Sequence, residues 1–168
     1  MKTAAPVGRE ARIRAAATLW FLLFIFVLRV AGQLFVSLGW APWLPPMEEW
    51  YSGLIPYGPL LAAQILIVAF CSKVGVDLTR GSGYFAVAKP WLGRGLRAFG
   101  SAYLAAMVFR YVVRLSLLPE ARWTGGAIPI FFHWVLAAWV LTLARYHGSG
   151  MEHAPGAPLA KTCRQAPS

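Results

Sequence analysis

The sequence predicts an all-α integral membrane protein, an antiparallel four-helix transmembrane bundle, on the strength of three observations. Hydrophobic residues make up 58% of the chain and charged ones 13%, with a mean hydropathy of +0.57 and eight Trp in 168 residues. That is more apolar surface than a soluble core of this size can hide. Four apolar stretches each approach or exceed the roughly 20 helical residues, at about 1.5 Å rise each, that cross a hydrocarbon layer. Proline punctuates the boundaries of three of them.

Residues 1–14 form a basic tail, and the first span follows from Ala15 to Leu38. Its run TLWFLLFIFVLRVAGQLFVSL is interrupted only by Arg29 and Gln33. A basic start, an apolar run and the small pair Ala31 and Gly32 imitate a signal-peptide cleavage site, but apolar character resumes at LFVSLGW and completes a membrane span. The next loop, GWAPWLPPMEEWYSG, sets Pro45 and Pro46 before Met-Glu-Glu-Trp-Tyr. This predicts a short interfacial helix with Glu48 and Glu49 in its favourable first turn.

The second span, Tyr57 to Val76, opens at LIPYGP, where Pro56 and Pro59 suit a helix start because the first turn has no partner for the missing N–H. The third, Leu96 to Leu118, stops at Pro119. The fourth, Ala127 to Tyr146, carries Pro129 in its first turn. The whole transmembrane domain is thus 15–146, and the Gly-, Pro- and Ala-rich residues 147–168 read as a mobile tail. Small residues at Ala98, Ala102 and Ala105 or Ala106, and at Gly58 with Ala62, are the expected sites of close helix contact.

Charge sets the orientation. Twelve of the sixteen basic residues lie in the N-terminal tail (Lys2, Arg9, Arg12, Arg14), between the second and third spans (Lys73, Arg80, Lys89, Arg94, Arg97) and at the C-terminal end (Arg145, Lys161, Arg164). The opposite loops hold Glu48, Glu49, Glu120 and Arg122. The positive-inside bias therefore predicts a multi-pass cell-membrane protein, an inner-membrane protein in a bacterium, with both termini cytoplasmic. Trp40, Trp43, Trp50, Tyr51, Tyr57 and Trp123 fall at the outer boundary and Tyr84, Trp91 and Tyr146 near the inner one, as aromatic belts. The net charge of +10 does not imply nucleic-acid binding, because the cations flank apolar segments instead of gathering on a soluble face. Cys71 and Cys163 form no CxxC redox pair.

Polar residues inside the spans share one height. Counted from the outer helix ends, Arg114 lies about 7 Å down, Arg110 about 13 Å and Arg29 about 15 Å, with Gln64 and His133 each about 10 Å down and Gln33 near them. Arg114 can snorkel to the headgroups, whereas an uncompensated charge at the depth of Arg110 or Arg29 costs from about 2.5 to over 10 kcal/mol. These two are expected to face inward and be paired. A structural reading supplies the partners from Glu48 and Glu49 folded over the bundle mouth, although four outer arginines against three carboxylates leave one positive charge over.

A functional reading makes the layer a binding site in the outer half of the bundle. Arg29, Arg110 and Arg114 would supply charged donors, Gln33, Gln64 and His133 neutral partners, and Glu48 and Glu49 the rim, for an anionic lipid, a polyprenyl phosphate or a quinone. Tyr103, Met107 and Arg110 share a stripe along which an apolar tail would lie. The expected partners are membrane lipid and a larger membrane complex, with the chain as accessory subunit, or further copies of the chain.

His133 and His147, fourteen residues apart, share a helix face about 21 Å apart in height. Six-coordinate haem needs a facing ligand, and the only other histidine is His153 in the tail, so haem within the monomer is not expected and any cofactor stays open. There is no GxSxG, no HExxH and no acidic pair within a span, so the parts of a hydrolase or metalloenzyme are missing. Binding is favoured over catalysis. The alternative is a membrane enzyme on a lipid-linked substrate, the arginines holding phosphate and His133 or a loop glutamate acting as acid or base. Lys73, Asp77 and Arg80, spaced four and three apart, read as a structural pairing along one helix edge, followed by a basic loop resting on headgroups.

Overall fold

The computed structural model describes residues 8–50, 55–117 and 127–149, without the side chains of Glu48 and Ala127. Glu120, Arg122, Trp123, Tyr51, His153 and both chain ends lie outside the described residues. Those described form helices α1 (Arg9–Ser37), α2 (Met47–Trp50), α3 (Tyr57–Arg80), α4 (Pro90–Leu117) and α5 (Ala127–Gly148), with no strand among them. α1, α3, α4 and α5 are each long and apolar enough to cross a membrane.

Three of these helices overrun their apolar windows into charged sequence: α1 begins at Arg9, α3 continues to Arg80 and α4 starts at Pro90. Hydropathy marks where hydrocarbon ends, whereas a helix stops where its backbone finds another partner. α1 stops in a Schellman motif: Gly39 adopts φ 72°, Gly39 N–H donates to Val36 O and Trp40 N–H to Phe35 O, both at 3.0 Å. The accompanying apolar contact is Phe35 against Trp40, ring centroids 6.2 Å apart. α3 stops at Gly81, φ 71°, whose N–H donates to Asp77 O, and Arg12 adds a bond to Leu78 O at 3.3 Å.

The helices run alternately up and down, so that Arg12 meets Leu78 and Gln33 meets Gln64 across α1 and α3. α1 packs on α3 and α5, and α5 also packs on α4. α3 and α4 flank this pair, with no extensive contact between them among the described residues. The apolar core fills the basic end of the α1–α3–α5 triangle, where Leu19 and Leu23, Val74 and Leu78, and Trp139 and Leu143 are buried together. Phe70 on α3 reaches Trp139 on α5, ring centroids 6.3 Å apart, and closes the gap between these helices at mid-height.

The small-residue contacts differ from expectation. Ala98, Ala102, Ala105 and Ala106 are exposed, as is Ala62, and a Cβ at Gly58 would meet nothing within 4 Å. α4 instead seats Gly93 and Gly100 on α5, where an added Cβ would fall 2.8 Å from Gly148 N and 3.0 Å from Leu141 Cδ2. These two positions, seven apart, lie on one side of α4, and lacking a Cβ they admit a closer backbone than alanine does.

At the basic end three buried side chains hold the loop from α3 to α4. Asp77 pairs with Lys73 and takes the Phe85 N–H on Oδ2 at 3.4 Å, so it anchors the loop as well as one helix edge. Tyr146 donates to Ala86 O. His147 Nδ1 accepts the Lys89 N–H at 3.2 Å, one residue before α4 begins. Lys89 Nζ folds back onto the Tyr84 ring.

Candidate binding site

Above the Phe70–Trp139 contact α3 and α5 stay apart, and α1 forms the floor of the crevice between them. Each helix faces it with a stripe at helical spacing: Phe26 and Arg29 on α1, Leu60, Ala63, Gln64 and Ile67 on α3, Pro129, Phe132, His133 and Leu136 on α5. The volume of this half-open crevice is about 120 Å³.

Arg29 is only 8% exposed. Its Nη2 donates to the carbonyl oxygen of Trp50 at 2.9 Å, and its guanidinium carbon lies 5.7 Å from the centroid of the Phe132 ring. Nε has no hydrogen-bond partner. Tyr57, whose buried hydroxyl is likewise unbonded, lies within electrostatic reach. Among the described residues no carboxylate pairs with Arg29. α2 does fold over the mouth as expected, but it offers Arg29 a backbone carbonyl, because the indole of Trp50 anchors it. That ring lies over Gly32, where a Cβ would come within 2.8 Å of Cη2, and its Nε1 donates to Pro45 O at 2.9 Å.

The glutamines pair across α1 and α3, with Gln64 Nε2 donating to Gln33 Oε1 at 3.1 Å. Both are buried, Gln33 at 0% and Gln64 at 4% exposure, and one amide–amide bond leaves Gln64 Oε1 and Gln33 Nε2 unbonded. His133 holds Tyr103 of α4 through Nδ1, 2.5 Å from the hydroxyl, and this leaves Nε2 as its other hydrogen-bonding atom.

The structure therefore brings Arg29, Gln33, Gln64 and His133 into one polar layer. Arg110 departs from expectation: it is exposed on α4, although it and Arg29 both act electrostatically on His133. Its height is as counted, but α4 rests on α5 through Gly93 and Gly100, and that seating turns position 110 outward. Arg114 and Glu49 are half-buried outside the crevice lining, and the Glu48 side chain lies outside the described residues. Tyr103 points its hydroxyl at His133 instead of offering a bed for an apolar tail. Sequence reasoning missed Trp50 and Phe132 as partners of Arg29. Gly32, a turn from Arg29, was the available signal for the first, since a glycine in an apolar span asks what packs on it.

Gln64→Leu is expected to cost about 1–2 kcal/mol in unfolding from mixed micelles, because it leaves Gln33 buried without its partner. The double change Gln33→Leu with Gln64→Leu is expected to recover most of that loss. A double variant no more stable than the single one would show that the cost is loss of the amide pair itself and not the stranding of Gln33.

Comparisons with protein-family models, with curated proteins and with solved structures return no match to this chain.

Proposed function

We propose that this is a multi-pass cell-membrane protein with both termini cytoplasmic, which takes the polar head of an amphiphile sideways from the outer leaflet into the crevice between α3 and α5. The orientation is supported by the gathering of Arg9, Arg12, Arg14, Arg80, Lys89, Arg94 and Arg97 at one end. The single observation that carries the binding reading is Arg29: a buried guanidinium with no carboxylate partner among the described residues, one N–H unbonded, at the edge of a cavity. A charge retained only for structure would be paired within the chain. Here a donor is held ready between apolar walls, an arrangement that orients one small head group.

A place as accessory subunit beside a larger membrane complex accords with α4, which among the described residues packs chiefly on α5 and exposes Arg110 at mid-span. Catalysis has one observation in its favour, the short Tyr103–His133 bond, which would orient an acid or base. Against it, the described lining holds neither a carboxylate nor a nucleophile.

Arg29→Met tests the reading. Native mass spectrometry of gently extracted protein is expected to show a retained amphiphile that this variant loses, its affinity falling about tenfold or more with the charged donor. The variant is expected to unfold within about 1 kcal/mol of the parent, since the lost bond to Trp50 is offset by removal of a buried charge. Global loss of folding would instead make Arg29 structural. A stoichiometric larger partner in the same spectrum would support the subunit role.

A further inference from the structure

We propose that the crevice selects a neutral ring bearing a hydroxyl, of the phenol or hydroquinone class, over a phosphate or carboxylate. This rests on the binding reading above and sharpens it. Three features of the cavity carry the inference.

The first is size. A cavity of about 120 Å³ is close to the space of a single six-membered ring, since an apolar protein cavity of about 150 Å³ takes up benzene. The second is lining: the walls are Phe26, Leu60, Ile67, Phe132 and Leu136, which match a flat apolar ring and offer nothing to an anion's outer oxygens. The third is the hydrogen-bond pattern. Arg29 Nε–H is an unbonded donor, and Gln64 Oε1 is an unbonded acceptor on the facing helix. A hydroxyl brought against both would accept from the one and donate to the other. A fully ionised phosphate or carboxylate carries acceptors only and would set one of them against the amide oxygen. A quinone carbonyl would satisfy Arg29 and leave Gln64 Oε1 bare.

The charge of Arg29 does not call for an anion. The Trp50 carbonyl and the Phe132 face already attend it, and what remains open is one N–H. His133, turned by its bond to Tyr103, adds a second polar point on the α5 wall.

The test uses the full chain in detergent micelles with three probes of equal tail: decyl-benzohydroquinone kept reduced, decyl-benzoquinone, and decyl phosphate. Binding is read from thermal stabilisation and from native mass spectrometry. The hydroquinone is expected to bind about tenfold tighter than the quinone and more tightly still than the phosphate, the value of one neutral hydrogen bond. The paired change Gln33→Leu with Gln64→Leu, which removes the acceptor without stranding its neighbour, is expected to erase the preference for hydroquinone over quinone, and Arg29→Met to weaken both ring probes. If decyl phosphate binds best, the inference is overturned and the binding reading stands. A quinone bound as tightly as the hydroquinone overturns it too. Failure of all three probes to bind or stabilise the protein overturns both.

Discussion

Leucine in place of Gly93 is expected to pull α4 away from α5 at the basic end, at a cost of about 3 kcal/mol, the upper range for overpacking a close contact. A Cβ there would meet Gly148 N at 2.8 Å, His147 C at 3.0 Å and Ala144 O at 3.1 Å, all of them backbone atoms without a rotamer to yield. Among the described residues α4 leans chiefly on α5, so a gap at this contact is poorly compensated elsewhere. Cysteines placed across the α4–α5 seam should crosslink in the parent and lose that crosslink in Gly93→Leu. The control is Gly95→Leu, two residues along, where a Cβ meets nothing within 4 Å and stability should stay within about 0.5 kcal/mol. Equal behaviour of the two variants would refute the contact.

His147→Leu should destabilise by about 2 kcal/mol, because a fully buried ring that accepts the Lys89 N–H is replaced by a side chain that accepts nothing. The stranded group begins α4, and the same loop is held by Tyr146 and Asp77. The loss should therefore be local at first. Limited trypsin digestion is expected to cut after Arg80, at the start of this loop, in the variant well before the parent, while the Trp-rich face around α2 stays unaltered. A digestion pattern like the parent's would mean that Tyr146 and Asp77 hold the loop unaided.

Height was legible in the sequence, and direction was not. A rise of about 1.5 Å per residue places Arg29, Gln64 and His133 at one level whatever their neighbours, and all three line the crevice. Which way a residue points needs a polar face to set against an apolar one, and these helices are apolar almost all round. Cost alone predicts an inward Arg110, and small-residue spacing points to the alanines of α4 where Gly93 and Gly100 make the contact, for want of that signal. The proline and acidic pattern around Met47 located α2, yet the group that reaches Arg29 is a carbonyl, which every residue carries and no sequence advertises. Asp77 pairs with Lys73 as the four-residue spacing predicts, but its hold on Phe85 depends on how the loop returns.

The order of packing has a consequence for how the crevice comes into being. α1 with α3, and α4 with α5, are neighbouring antiparallel pairs, each able to close as a hairpin, and the halves join mainly along the seam of α1 against α5. Arg29 and Gln64 belong to one half and Phe132 and His133 to the other, so the cavity exists only after the halves dock. Any molecule lodged there bridges them, and by mass action its presence favours the assembled chain over the parted one.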